Sequence, residues 1–129
     1  MSEMIVSENT STGTVANTLT GDAESLKLVF NATTNSDSLN DHLGEPITLK
    51  GAFLNRGVRR SYGGGEDVEC VNTYIVDERG NSYFSQSAGV ARDMANLITL
   101  YGGDIEGLTI MIGEREIGGG RSMKFVELV

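Results

Sequence analysis

Arg56, Arg59 and Arg60 fall within five residues, in the stretch RGVRRSYGGGE at 56–66, and Tyr62 and three glycines follow directly. A guanidinium presents a planar fork of donors that fits phosphate or carboxylate oxygens. A tyrosine presents a flat face on which another ring can stack. The acids next along the chain, Glu66, Asp67 and Glu69, are the ordinary surface partners for such arginines. Exposed pairs of that kind contribute under about 1 kcal/mol and would not order a glycine-rich loop. A loop that closes over a flexible anionic strand makes better use of both features. Lys50 lies just upstream, so four basic side chains occupy residues 50–60, and Arg121 and Lys124 form a second basic group near the C-terminus.

Other chemistry finds less to work with. The only histidine, His42, precedes Gly44 in a short helical pattern and reads as a surface or capping residue. The only cysteine, Cys70, reads as a small buried strand residue, and it has no second histidine to serve as its base. No CxxC, HExxH or alternating oxygen-ligand pattern points to zinc or calcium. The glycine runs match neither a phosphate-binding P-loop nor a dinucleotide fingerprint. The expectation is a protein that is not an enzyme and needs no cofactor or metal.

These residues must be carried by a chain of 129 residues, long enough to bury a core without staples. Its 18 acidic and 10 basic side chains give a net charge of −8, which argues against cationic coating of nucleic acid over the whole surface. It leaves room for a local positive path. The N-terminus, MSEMIVSENT, has neither a basic region nor an apolar run, and no apolar stretch approaches a membrane span, so a cytoplasmic protein is expected, in the host cell if viral.

Along the chain, residues 1–20 are rich in Ser, Thr and Asn and read as a flexible arm, with Val15 and Leu19 able to add an edge strand. Residues 21–129 read as one domain. DAESLKLVFN at 22–31 has helical spacing at Leu26, Val29 and Phe30, with Asp22 as N-cap. SDSLNDHLGEP reads as a second short helix that Gly44 and Pro46 end. Residues 47–56 then alternate as a strand, with a bend or bulge at Gly51. Strands at 69–77 and across SYFSQ follow, joined by the turn DERGN. A helix with Ser87 as N-cap carries the stripe Val90, Met94, Leu97, Ile98 and Tyr101. Two last strands flank the turn GGGRS.

The order strand, strand, strand, helix, strand, strand is that of an OB-fold, a five-stranded barrel with one helix between strands three and four, here preceded by short N-terminal helices. In that fold the loops after strands one and four flank the binding face, and these are the loops that hold the two basic groups. Stacking platforms complete such a site. With Val71, Thr73 and Ile75 facing inward, Tyr74 faces out on strand two. Of the adjacent pair Tyr83 and Phe84, the tyrosine, with its polar tip, is assigned outward and Phe84 to the core. Phe30, Phe53 and Tyr101 are assigned to core or helix packing.

Two segments carry a family likeness: LVFNATTNSDSLNDHLGEPITLKG at 28–51 and VDERGNSYFSQSAGVARDMANLITLYG at 76–102. Together they cover about two-fifths of the chain. In them the chain resembles the small single-stranded DNA-binding proteins of tailed bacteriophages, especially phages with protein-primed replication and their relatives. The resemblance implies an OB-fold, high-copy coating of displaced strands, no cofactor and an acidic composition overall. The expected function is sequence-independent binding and protection of single-stranded DNA during phage replication. Lys50, Arg56, Arg59, Arg60, Arg121 and Lys124 would meet phosphates, and Tyr62, Tyr74 and Tyr83 would stack bases. Partners would be the DNA, further copies along the strand and replication proteins. The alternative is an OB-fold protein–protein adaptor or inhibitor that uses the same face without nucleic acid.

Overall fold

The computed structural model describes residues 14–60 and 65–129, apart from the side chain of Arg60. The elements run β1 (Thr14–Asn17), α1 (Ala23–Thr34), β2 (Asp37–Ser38), a 3-10 turn (Leu39–His42), β3 (Ile47–Arg60), β4 (Asp67–Asp77), β5 (Ser82–Ser85), α2 (Ala88–Leu100), β6 (Thr109–Gly118) and β7 (Arg121–Leu128). The strands form one strongly curled half-barrel sheet in the order β2-β5-β4-β3-β6-β7, with β1 added to β3. The sheet has seven strands where the sequence suggested five. The additional two are β1 and the two-residue β2, which pairs in parallel with β5.

The curl begins on β3. Its first residues, Ile47 and Thr48, pair with β6, and from Leu49 onward it pairs with β4 across a bulge between Leu49 and Gly51. A Cβ at Gly51 would lie 2.5 Å from the Leu19 side chain, so only glycine lets the chain before α1 pass this close to the bent strand. The inner face packs Leu49, Ala52, Leu54, Ile75, Ile110 and Ile112 against Val90, Met94 and Leu97 of α2. The outer face carries a second cluster, in which Leu19, Ala32, Phe53 and Val76 are buried beneath α1.

Both helices start where capping chemistry places them. Asp22 Oδ1 accepts from the Ser25 N–H at 2.7 Å, and Ser87 Oγ accepts from the Val90 N–H at 3.3 Å. α2 also seals the free edge of β7, where Asp93 Oδ2 accepts from the Val126 N–H at 3.0 Å. No helix among the described residues is long and apolar enough to cross a membrane.

Four expectations are corrected. Part of the stretch assigned to a flexible arm at 1–20 is packed: Thr14–Asn17 pair with β3, the edge strand that Val15 and Leu19 allowed, and Leu19 is only 3% exposed. Residues 1–13 lie outside the described residues. The basic stretch is not wholly a loop, since β3 continues to Arg60, in register with Asp67. The hairpin runs on past the barrel wall, where both faces meet solvent and charged side chains cost nothing to expose. Phe30 does not pack in the core but is 66% exposed, and Tyr101 is likewise exposed. α1 turns Leu28, Val29 and Ala32 toward the sheet, which leaves Leu26 and Phe30 on the solvent side.

Candidate functional site

Residues directly opposite in an antiparallel pair share a face. The outer face can therefore be read as rows that cross β3, β4 and β5. Phe53 pairs with Tyr74, and Tyr74 with Phe84. Their rings form a continuous row. Phe53 and Tyr74 stack with centroids 4.7 Å apart at 13°, and Tyr74 and Phe84 lie 5.1 Å apart at 41°. α1 buries the Phe53 end, whereas Tyr74 and Phe84 are half-exposed. Burial against this cluster pushes the Tyr74 phenol above its usual range.

The next row is made of amides. Asn55 pairs with Asn72, and Gln86 continues β5 beside them. Gln86 Nε2 donates to Asn72 Oδ1 at 3.0 Å, and Asn72 Nδ2 donates to Asn55 Oδ1 at 3.2 Å. Beyond them, Gly57 pairs with Cys70 and Arg59 with Val68. A Cβ at Gly57 would fall inside contact distance of the Asn72 amide, so glycine keeps this row open. The face thus passes from rings to amides to a guanidinium within one run of β3.

A groove of about 500 Å³ runs beside this face, where β5 and β7 approach without pairing. Arg59 of the β3–β4 hairpin lines it, as do Ser122, Met123 and Lys124 of the β6–β7 hairpin, with Phe84 and Gln86 on the β5 side. Two hairpins and an aromatic residue therefore converge on one channel.

The residues expected at the site divide accordingly. Arg59 and Lys124 line the groove, and Tyr74 lies in the aromatic row. Lys124 Nζ lies 3.8 Å from Glu114 Oε2, a partner that another anion would have to displace. Arg56 is exposed on the opposite face of β3, the face of Leu54 and Val58. Lys50 is held away in an ion pair with Glu106 at 3.1 Å. Arg121 is exposed at the tip of the β6–β7 hairpin, beside Glu114, Arg115 and Glu116. Tyr62 and the side chain of Arg60 lie outside the described residues.

Tyr83 is a correction, and so is Phe84. Tyr83 pairs with Ile75 and packs against the inner core. Its hydroxyl donates to Asp77 Oδ2 at 3.0 Å, and its ring meets His42 edge-on at 4.9 Å. Burial first, and then the bond to Asp77, pushes its phenol up to about 12. Its polar tip is satisfied inside by a carboxylate that also caps the Arg79 and Asn81 N–H groups of the β4–β5 turn. Phe84 therefore faces outward. The sequence reading also missed the amides Asn55, Asn72 and Gln86, and Arg115, whose guanidinium lies 5.1 Å from the Phe125 ring centroid. Strand register alone brings the three amides together, and it separately sets Arg115 beside Phe125 on the β6–β7 hairpin.

Cys70 lies half-buried beside the amides, with Gln86 Nε2 3.5 Å from its sulfur, while His42 packs on the other face between Asp37 and Glu45. The two are not arranged as nucleophile and base. Among the described residues, no group of three or more His, Cys, Asp or Glu side chains could hold a metal ion. Compared with protein-family models, curated proteins and solved structures, the chain finds no match.

Proposed function

We propose that the half-barrel is an OB-fold that binds and protects single-stranded DNA during phage replication. The order β3-β4-β5-α2-β6-β7 follows the OB pattern, with its helix between the third and fourth of those strands. The two hairpins that line the groove stand where that fold holds its binding loops. The observation that carries the reading is the groove itself: Phe84, beside Tyr74, is flanked by Arg59 from one hairpin and Lys124 from the other. Rings that accept any base, next to cations that accept any phosphate, are the requirements of sequence-tolerant strand binding. The net charge of −8 fits a protein whose positive path is local.

A labelled single strand and a labelled duplex, titrated with the protein, test this reading. Tight binding of the single strand with weak binding of the duplex supports it, and failure to bind the single strand refutes it.

One observation favours the adaptor reading. Leu26 and Phe30, one helical turn apart on α1, are 60% and 66% exposed, an apolar pair suited to a polypeptide. Under the adaptor reading, Phe30→Ser abolishes partner binding. Under the DNA reading, it leaves strand affinity unchanged, because Phe30 is not among the residues that line the groove.

A further inference from the structure

A second cavity, of about 390 Å³, opens next to the groove. Leu54 and Val71 of the sheet and Ala91 and Ala95 of α2 line it, and its surface is mainly apolar. The alanines leave a gap where longer side chains would close α2 onto the sheet. Leu54 and Ala91 belong to the inner core, so the cavity is an accessible end of that core. Two guanidinium residues, Arg59 and Arg92, border it against one carboxylate, Glu69. Arg59 also lines the groove, so the two sites share a cation.

This lining argues against a nucleobase. The polar edge of a base would lie unpaired among aliphatic side chains, and burial of polar groups without partners is costly. A short aliphatic segment with a carboxylate at each end fits instead, and the chain contains one. Met4, Ile5 and Val6, too few for a leader or a membrane run, stand between Glu3 and Glu8, and residues 1–13 hold no basic side chain.

Residues 1–13 lie outside the described residues, but their point of attachment does not. Val15 lines the cavity, and Thr14 pairs with Asn55 in an antiparallel ladder. The chain upstream of Thr14 therefore starts beside the cavity, headed toward the β3–β4 hairpin that carries Arg59. Residues 7–13, SENTSTG, separate the apolar triplet from β1. Seven residues span up to about 23 Å, and Asn9 and Gly13 favour turns. Such a tether holds the segment at an effective concentration on the order of millimolar, so weak contacts suffice.

We infer that the cavity seats the chain's own Met4, Ile5 and Val6, with Glu3 and Glu8 on Arg59 and Arg92, so that this segment and a single strand compete for Arg59. The seat stands on the cavity and the segment; the competition rests on the single-strand reading. Arg92 bonds Asp93 through Nε at 2.9 Å and keeps terminal N–H groups for a second carboxylate. A phosphate that reaches Arg59 displaces a carboxylate there and weakens the seat.

The experiment uses the full chain with labelled methyl groups. Nuclear Overhauser contacts should join Met4 and Ile5 to the Ala91 and Ala95 methyls, and should survive dilution. The double variant Met4→Ser, Ile5→Ser should lose them. It should also bind a labelled dT oligonucleotide about threefold to tenfold more tightly than the wild type, as expected for a segment seated about two to nine times as often as it is free. This variant keeps Glu3 and Glu8, so the gain cannot come from a smaller negative charge. Ala95→Leu, which fills the cavity from α2, should give the same gain. Absent contacts, or contacts that disappear on dilution, overturn the inference whatever the strand affinities are. Contacts that persist while both variants bind the strand as the wild type does overturn the competition. Contacts without strand binding by any of the three proteins refute the single-strand reading and leave the seat standing.

Discussion

Tyr74 and Phe84 stand on neighbouring strands as a cross-strand pair, with ring centroids 5.1 Å apart and planes tilted by 41°. Tyr74 also stacks on Phe53, which α1 covers, so one end of the row is anchored in the core and the other opens on the groove. This asymmetry separates the energetic roles of the two rings. Phe84→Ala should weaken single-strand binding by about 1–3 kcal/mol, the contribution of one stacked base, with a small change in melting temperature. Tyr74→Ala should lower both, because it also removes the stack on Phe53. Affinity and thermal unfolding measured on both variants check the distinction, and unchanged affinity for Phe84→Ala would remove that ring from the site.

Leu19 is the second anchor of the outer cluster. It is 3% exposed and lies against the glycine bulge of β3. Leu19→Ala should destabilise the protein by about 2–5 kcal/mol, the range for a large-to-small change in a core. Removal of residues 1–20 should be more damaging still, because β1 goes with Leu19. Denaturant unfolding of both variants decides the point, and wild-type midpoints would restore the arm to its sequence-derived length.

Asp93 links α2 to β7. Burial pushes its carboxyl up, but the Arg92 hydrogen bond, the Val126 N–H and the charges of Arg92 and Arg115 outweigh burial and leave it below its ordinary value. A depressed carboxyl contributes stability above its unfolded pKa and loses it as pH falls through the folded value. Asp93→Asn should therefore flatten the acid limb of the stability profile below about pH 4, while the amide oxygen still accepts from Val126. Urea midpoints measured down the acid range show this. A limb as steep as that of the wild type assigns the acid sensitivity to other carboxylates.

His42 behaves in the opposite sense. Its hydrogen bond to Glu45 raises it first, burial opposes this, and the charge of Glu45 and the bond and charge of Asp37 add to the rise. Its contribution is fully present below the unfolded pKa, about 6.5, and is lost as pH rises through the raised folded value. His42→Gln should flatten the stability profile across that window without affecting strand affinity. Thermal melts from mildly acidic to mildly alkaline pH test it, and a profile that stays as steep would place the titration elsewhere.

Much of the scaffold was legible from local signals. Asp22 and Ser87 mark the helix starts as N-caps should, and Gly51 marks the bulge. What was not legible depends on register. Tyr83 and Phe84 are adjacent on a four-residue strand, so which one faces out is set by pairing with β4 and not by their own chemistry. The rule that a tyrosine's polar tip seeks solvent failed because Asp77 accepts the hydroxyl inside. The arginines of β3 read as loop because a strand that extends past its barrel loses its apolar alternation. α1 has apolar residues on more than one face, so Leu26 and Phe30 show helical spacing as Leu28, Val29 and Ala32 do, and only packing against the sheet decides which set is buried. The amide row left no sequence signal at all, since Asn55, Asn72 and Gln86 come from three separate segments.

The central claim is that a single strand lies in the groove with its phosphates on Arg59 and Lys124. The most direct test follows single-strand affinity as a function of salt, for the wild-type protein and for the double variant Arg59→Ser, Lys124→Ser. Each phosphate neutralised on a single strand contributes about 0.7 to the log–log slope. The account expects wild-type affinity to fall steeply with salt, and the slope to shrink by about 1.4 in the double variant. Affinity that does not change with salt, or a slope that the double variant leaves unmoved, would contradict it.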